Sequence, residues 1–542
     1  MKRILSLLEI GLILLIALAP VFASFPYRNN IFLSWEGAYR LSEGQIPFKD
    51  FGMPVGYMYW VIPAIFFKIL GAQLITLIKA QAFINILAGL AFRSIFKSLR
   101  VQPAIRFLSV AVFCLSYTFL NYWPWYNHTV VVYELIALAF LFRYLMAPSP
   151  TKRTYIYLVI AGAFVFFSFF TKQDGGGLAL LLCLVLLGYH SWINKKWLPI
   201  LLFTGGVTLT GVLMIAPLIP YRFDYWFNHG QAPHSSRISI TDILKEFFAS
   251  SQWIKFYLLT IILLLIGTAK NLKELFKNKE QMLFILLTLG ILVQAAIVQV
   301  TSYVPLDNNI YFHSFAFAFI LSLLATRLSI HLENWKSLLI VTAGVFLWWS
   351  SAYWKYIERF IVKPGNENYT FNTHNGYHYA DVVNRNTYMI GLDTTTIPLN
   401  QWRIPNLRSF QKILLPGPTV DGIERLMEMP LVKNNKNLKV LNMTELTPLA
   451  AEIPFKLETG SYYPLWFHKG VAIFEKETIM FTDRIQNNHY DLVLYEYIPY
   501  LNNFNPYKVR ENLMANYKKI DSFPAPRNPS AHAWIEIYVK KQ

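Results

Sequence analysis

Charge is scarce in this chain: Asp, Glu, Lys and Arg together make up 15% of its 542 residues. A soluble protein of that length needs far more to cover its surface, because ionised side chains stay outside. Cysteine is nearly missing too. The two that occur, Cys114 and Cys183, fall within apolar blocks, so disulfides cannot hold a soluble part together. Acidic residues number 31 against 49 basic ones, a formal charge of +18. Nucleic-acid binders share such an excess, but here most basic residues of the first part sit in short loops between apolar blocks. That is the positive-inside pattern of membrane proteins, not a binding stripe. The alternation of a membrane barrel is absent, and no internal repeat or low-complexity stretch stands out.

What the chain does have is apolar surface: 55% of its residues are hydrophobic. Up to roughly Tyr353 they fall into blocks of about 17 to 23, the length that crosses a bilayer core as helix. Met1-Lys2-Arg3 followed by an apolar run imitates a signal peptide, with Ala17-Leu18-Ala19 at the cleavage position. The run continues to about Phe25 and further blocks follow, so we read it as an uncleaved first span.

Loop charge sets the expected topology. Counting both 55–70 and 73–92 as spans would put Arg93, Lys97, Arg100 and Arg106 outside. Counting one keeps them inside, with Lys152, Arg153, Lys195, Lys196, Lys270, Lys273, Lys277, Lys279, Arg327 and Lys336. Val55–Leu70, rich in aromatics, then becomes a surface helix. The expectation is a mainly α protein. It is a polytopic transmembrane helical bundle of about eleven spans (4–24, 73–92, 106–122, 128–146, 154–171, 175–192, 197–219, 253–269, 281–300, 308–328 and 336–354), amino terminus in and carboxyl terminus out. Residues 1–355 form the transmembrane domain, with a first outer loop at 25–72, and 356–542 a soluble α/β domain outside. In that tail Leu438–Leu441, Asp491–Ile498 and Trp534–Val539 read as strands, and Gly422–Met429 and Lys508–Tyr517 as helices. Tyr463-Pro464-Leu465-Trp466-Phe467-His468 reads as core packing or an exposed aromatic strip.

The first outer loop carries the chemistry. Glu36, Tyr39, Arg40 and Glu43 are spaced by three and four, so one short helix gathers them on a face. Pro47 and the Gly52–Pro54 turn then redirect the chain. These are solvated loop charges, with Glu36 and Asp50 as caps or ion-pair partners, or a carboxylate tuned as a general base where water is scarce.

Glu36-Gly37-Ala38-Tyr39, Glu43-Gly44, Pro47-Phe48-Lys49-Asp50-Phe51, Pro54 and Phe67-Lys68-Ile69-Leu70-Gly71 resemble the first periplasmic loop of the GT-C class of integral-membrane glycosyltransferases. The resemblance is to the bacterial branch related to protein O-mannosyltransferases and aminoarabinose transferases, and extends loosely to about residue 330. Phe170-Thr171-Lys172-Gln173-Asp174-Gly175 is a second point of similarity, read otherwise as a tight helical hairpin with a snorkelling lysine. The chain departs from the pattern in having Trp35-Glu36 for an Asp-Glu pair, Gly52-Met53 for an acidic-Lys pair, and no acidic residue in Trp123-Pro124-Trp125-Tyr126-Asn127-His128.

The resemblance implies transfer of one sugar from a polyprenyl-phosphate donor to an acceptor hydroxyl on the outer face of a bacterial inner membrane, with inversion. It implies Glu36 as base, Asp50 orienting the acceptor or assisting the base, and Lys172, Arg222 and Arg237 on the donor phosphate. Tyr39, Gln173, Asp174, His128 and His313 would line the cavity. Aromatic-belt or structural readings compete for Tyr311, His313 and His128, and a solvated-loop reading for His229 and His234. The implied partners are the lipid-linked sugar, membrane lipid, and an acceptor glycan, lipid or protein, but no nucleic acid. No cofactor is fixed, and a divalent cation is left open. The rival readings are an O-antigen ligase or polymerase, a glycan flippase or transporter built on Glu134 and Lys79, and an inactive family member serving as scaffold.

Overall fold

The structure, a computed structural model, describes all residues but 23, 27–28, 116–121, 228–239, 269–271, 303–309, 330–331, 333, 351–400, 454, 456, 466, 468–472, 499–505, 527–532 and 542. Arg237, His229 and His234 therefore lie outside the described residues.

Helices dominate the first 350 residues, as their unbroken apolar runs require. Each expected span overlaps a helix: α1 (Lys2–Phe22), α4 (Leu74–Ser98), α5 (Pro103–Phe113), α6 (Tyr126–Leu145), α7 (Lys152–Thr171), α8 (Gln173–Asn194), α9 (Leu198–Ile215), α11 (Gln252–Thr268), α13 (Lys279–Ser302), α14 (Ile310–Arg327) and α15 (Trp335–Trp348). Among the described residues seven are long and apolar enough to cross a membrane. An eighth candidate is the pair Ile240–Ser250 and Gln252–Ile266, bent by 76°. Two short helices complete this part, α10 (Ile240–Lys245) and α12 (Leu272–Lys277). The first outer loop supplies α2 (Asn29–Ser42) and α3 (Met58–Leu70). At 13 residues α3 spans about 20 Å, well short of a bilayer core.

Close packing in the bundle rests on small residues, as it must where lipid supplies no hydrophobic drive between helices. A Cβ at Gly162 of α7 would lie 2.3 Å from the Phe203 carbonyl oxygen of α9, and one at Gly206 would lie 2.5 Å from that of Val159. Contacts sort the loops into two ends. At one end Glu9, wholly buried, accepts from Arg93 Nε at 2.6 Å and Arg106 Nε at 2.9 Å. Two of the basic residues expected as loop charge thus belong to helices α4 and α5 and neutralise a buried carboxylate. Arg100 reaches Glu280 at 3.7 Å in the same set of loops.

At the other end the first loop meets the tail. Strand β1 (Phe25–Pro26), just past the first span, pairs in parallel with β3 (Ile413–Pro416), which pairs antiparallel with β2 (Trp402–Arg403). Lys412 Nζ donates to the Val21 carbonyl at 2.9 Å. A second sheet has the order β4-β5-β7-β6, from Val440–Met443, Leu492–Tyr497, Trp534–Lys540 and Tyr517–Pro524. β4 and β5 run parallel and the other neighbours antiparallel. The apolar runs read as strands are β4, β5 and β7, and the helical patterns form Gly417–Glu428 and Tyr507–Asn516. β6 escaped the pattern because a bulge between Lys519 and Asp521 shifts its register and only Tyr517 and Phe523 are buried along it. Of the aromatic strip, Tyr463 and Leu465 are buried, in keeping with core packing.

Candidate active site

Three of the four residues spaced by three and four share a helix. α2 carries Glu36, Tyr39 and Arg40, and ends before Glu43. Arg40 donates from Nε to Glu36 Oε1 at 2.9 Å and lies 2.8 Å from it through Nη2, an i,i+4 pair. The Glu36 side chain retains 14% exposure and Arg40 2%. Burial pushes the Glu36 carboxyl above the usual carboxylate range, while the charge and hydrogen bond of Arg40 pull it back. Tyr39, also shielded, is pushed up to about 12, by burial first and by Glu43 second. Its hydroxyl donates to the Ala450 carbonyl at 3.3 Å.

The Glu36 carboxylate stands at the wall of a cavity of about 90 Å³, between α2 and the tail. Phe32 and Glu36 line one side. Asn442, Thr444 and Thr447 supply polar groups, Glu445 and Glu496 carboxylates, and Tyr463, Leu465, Phe467 and Phe481 an apolar wall. At about 30 Å³ per liquid water, that is room for a few waters or one hydroxyl-bearing arm of a larger molecule.

Asp50 has a different place. Its carboxylate accepts from Ile46 N at 2.7 Å and so closes the 46–51 turn, the cap role read beside the catalytic one. The turn needs that support, because Phe48 adopts the left-handed region (φ 67°) favoured by glycine. Its buried ring packs on Phe223 at 5.3 Å.

The second point of similarity is the join between α7 and α8, where Lys172 alone links Thr171 to Gln173. Gly176 makes this possible: a Cβ there would lie 2.0 Å from Phe169 Cα. Lys172 Nζ sits 3.1 Å from Asp174 Oδ2, and Asp174 Oδ1 accepts from Gly175 N at 2.7 Å. Burial lowers the Lys172 ammonium, and Asp174 opposes that. The lysine also faces the Tyr126 ring at 6.0 Å, in the first turn of α6, where His128 lies half-buried two residues on. Gln173 Nε2 donates to the Trp226 carbonyl at 2.9 Å.

Arg222 belongs to the same neighbourhood. Its backbone N–H donates to the Phe48 carbonyl at 3.2 Å, its guanidinium forks onto Asp224 at 2.9 and 2.8 Å, and its plane lies over Tyr462 at 4.6 Å. Ring contacts bridge the two clusters. Gly37 lies flat against Trp60, Trp60 meets Tyr59 at 4.6 Å, and Tyr59 meets Tyr126 at 5.9 Å. His313 is placed otherwise: it hydrogen-bonds Tyr257 at 2.8 Å and packs on Trp253 at 4.4 Å, both on α11. Among the described residues no group of three or more His, Cys, Asp or Glu side chains is arranged to hold a metal ion.

Sequence reasoning missed the tail's share of the site. Glu458 and Tyr463 close on Arg40, and Tyr225 hydrogen-bonds the buried Glu477 of the helix Phe474–Gln486. Pairings across more than 200 residues leave no periodic trace. The aromatic strip at 463–467 was the one available signal.

No protein-family model matches the chain, and no curated protein does. Among solved structures it aligns with ArnT from Cupriavidus metallidurans bound to undecaprenyl phosphate, over 98% of this chain and 97% of that one, at 11% identity and a TM-score of 0.47. Apo ArnT from the same organism aligns over 66% and 69%, at 13% identity and a TM-score of 0.40. An oligosaccharyltransferase from Archaeoglobus fulgidus, in complex with Zn and sulfate, aligns over 62% of this chain at 13% identity and a TM-score of 0.37. This chain spans about half, 51%, of that protein. Both kinds of protein are glycosyltransferases of the GT-C class that the first-loop residues resemble. At these scores the likeness is one of outline and carries no residue assignments.

Proposed function

We propose that the chain transfers a sugar from a polyprenyl-phosphate donor to an acceptor hydroxyl at the outer surface of a bacterial inner membrane. The observation that carries this reading is a shielded carboxylate, Glu36, facing a small cavity with polar groups on one side and an apolar wall on another, with its basicity raised by burial. The acceptor O–H proton goes to Glu36 as the oxygen bonds the anomeric carbon from the face opposite the leaving group. The bond from that carbon to phosphate oxygen breaks, and the phosphate departs with the electron pair. Lys172, at the start of the 22-residue helix α8, supports the second half of the chemistry, since a helix N-terminus and an ammonium both favour an anion. Arg222 is the further cation of this reading, and Tyr39, Gln173, Asp174 and His128 would line the space around it. Asp50 acts by shaping the loop.

The tail and the first loop share one end of the bundle by contact, which supports placing both outside. Reporter fusions after residues 45 and 541 test this: equal outside signals are expected, and a cytoplasmic signal at either position would overturn it. The transporter alternative drew on Glu134, but that carboxylate is bound by Gln294 Nε2 of α13 at 2.6 Å, an interhelical lock.

The deciding experiment compares envelope lipids, glycans and glycoproteins by mass spectrometry in a strain lacking the gene. The wild-type gene should restore one missing sugar and Glu36→Gln should not, at equal protein level. Restoration by the Gln variant would remove Glu36 from the mechanism.

A further inference from the structure

Arg40 is the most enclosed cation of the site, and its surroundings come from three places in the chain. Glu36 takes Nε and Nη2. Gln45 Oε1 accepts from Nη1 at 2.8 Å, and the Glu458 carbonyl from the same nitrogen at 2.7 Å. The Tyr463 ring covers the guanidinium at 4.6 Å, and Phe51 flanks it at 5.7 Å. The tail segment that brings Glu458 and Tyr463 is itself laid along the first loop by backbone bonds. Gly460 N donates to the Asp50 carbonyl at 2.9 Å, Gly52 N to that of Tyr463 at 2.7 Å, and Leu465 N to that of Gly52 at 2.9 Å. Arg484 Nη1 fixes the Glu458 side chain at 2.7 Å, and Phe481 backs the Tyr463 ring at 5.9 Å.

We propose that the tail segment from Glu458 to Leu465 is a positioning element of the site: it holds Arg40, and Arg40 holds Glu36. This rests on the reading of Glu36 as the base. Both guanidinium nitrogens close on the same carboxylate oxygen, Glu36 Oε1, which fixes that oxygen in position. The guanidinium keeps its own place only while its remaining donors and one face are occupied, and the tail occupies them. The cavity disappears with the tail as well, since among the described residues Phe32 and Glu36 are its only lining residues from outside the tail. Tyr463 and Arg40 are therefore positioning residues, not catalytic ones.

The groups that face Glu36 are Arg40 on its own helix, Tyr463, Glu458 and Arg484 beneath it, and Glu445 and Glu496 across the cavity. Removing the ring lets water reach the pair, which lowers the proton affinity of Glu36. Removing the Arg40 charge raises it. Opposite signs separate positioning from general damage to the fold.

The test uses the full chain in lipid nanodiscs and a water-soluble carbodiimide with an amine nucleophile, reading Glu36 modification by peptide mass spectrometry across pH. Tyr463→Ala should speed labelling about tenfold and move its midpoint to lower pH. Tyr463→Phe should match wild type, and Arg40→Gln should move the midpoint to higher pH. In the envelope assay Tyr463→Ala should lower transfer about a hundredfold, as for a slightly misplaced base, and Tyr463→Phe should restore it. Where Tyr463→Ala does not accumulate, Arg40→Lys carries the test: it keeps the charge, cannot bridge Glu36, Gln45 and Glu458, and should lose transfer similarly. Wild-type labelling and transfer in a folded Tyr463→Ala or Arg40→Lys protein would overturn the inference. If Glu36→Gln is inactive in that case, only the positioning role falls; if Glu36→Gln is active, the base assignment falls with it.

Discussion

Two shielded cations flank the candidate site, and they are held in unlike ways. Arg40 is bound by its own helix, by the following loop and by the tail, with a ring over its face. Lys172 has its described carboxylate two residues away, at a helix start, where the Asp174 side chain also takes the Gly175 N–H. The first arrangement suits a group that must stay still while a proton moves. The second suits one that exchanges a local carboxylate for an arriving phosphate. The partners of Arg40 named here come from three parts of the chain, and the carboxylate beside Lys172 from the start of its own helix.

The largest effect should come from the still side. Glu36→Gln is expected to lower transfer by about a hundred- to ten-thousandfold, the usual cost of losing a placed base, with the thermal midpoint nearly unmoved. A loss of fold instead would make the Arg40 cluster a structural element and break the comparison. A third buried-cation cluster serves as control. Glu9→Ala leaves Arg93 and Arg106 without their counter-charge, which costs about 3–5 kcal/mol when a buried pair is broken. Thermal unfolding in detergent should show it, whereas the pH dependence of the remaining transfer should not change.

On the exchanging side, Lys172→Gln should raise the donor KM about tenfold with a smaller change in kcat, read with a lipid-linked sugar once the donor is identified. Asp174→Asn sharpens the contrast: removing the carboxylate charge beside the lysine should lower the donor KM by about two- to threefold. A raised KM would mean that Asp174 orients Lys172 instead of competing for it. The smallest effect concerns the contact of tail and long loop. Burial pushes the Glu477 carboxyl up to about 8, with Tyr225 pulling it down. A carboxyl raised on folding stabilises the folded form fully below its unfolded value of 4.5, and that contribution fades as pH rises through about 8. The thermal midpoint should therefore decline between those limits, and Glu477→Gln should flatten the decline.

Much of this was legible before any coordinates. Apolar block length gave the helices, and the three-and-four spacing of Glu36, Tyr39 and Arg40 gave α2, because both signals are local and repeat with the helix. The hairpin at Lys172 was readable from its glycines. The rest was not, for physical reasons. Glu36 and Arg40 look like one exposed i,i+4 pair until the tail covers them, and nothing in residues 458–463 announces a partner 418 positions earlier. Arg93 and Arg106 counted as loop charge because hydropathy cannot see that Glu9 lies between them. His313 gave no sequence sign of its partners either: its described contacts are to Tyr257 and Trp253 of another helix.

The stitch between Lys412 and Val21 spans 391 residues. A ribosome adding about 5–20 residues per second needs roughly 20 to 80 s to cover that stretch. For all of that time β1 lacks its neighbour and Arg40 its cover. A chain truncated before residue 412 would carry every group of the first loop and lack the tail residues that wall the cavity beside Glu36.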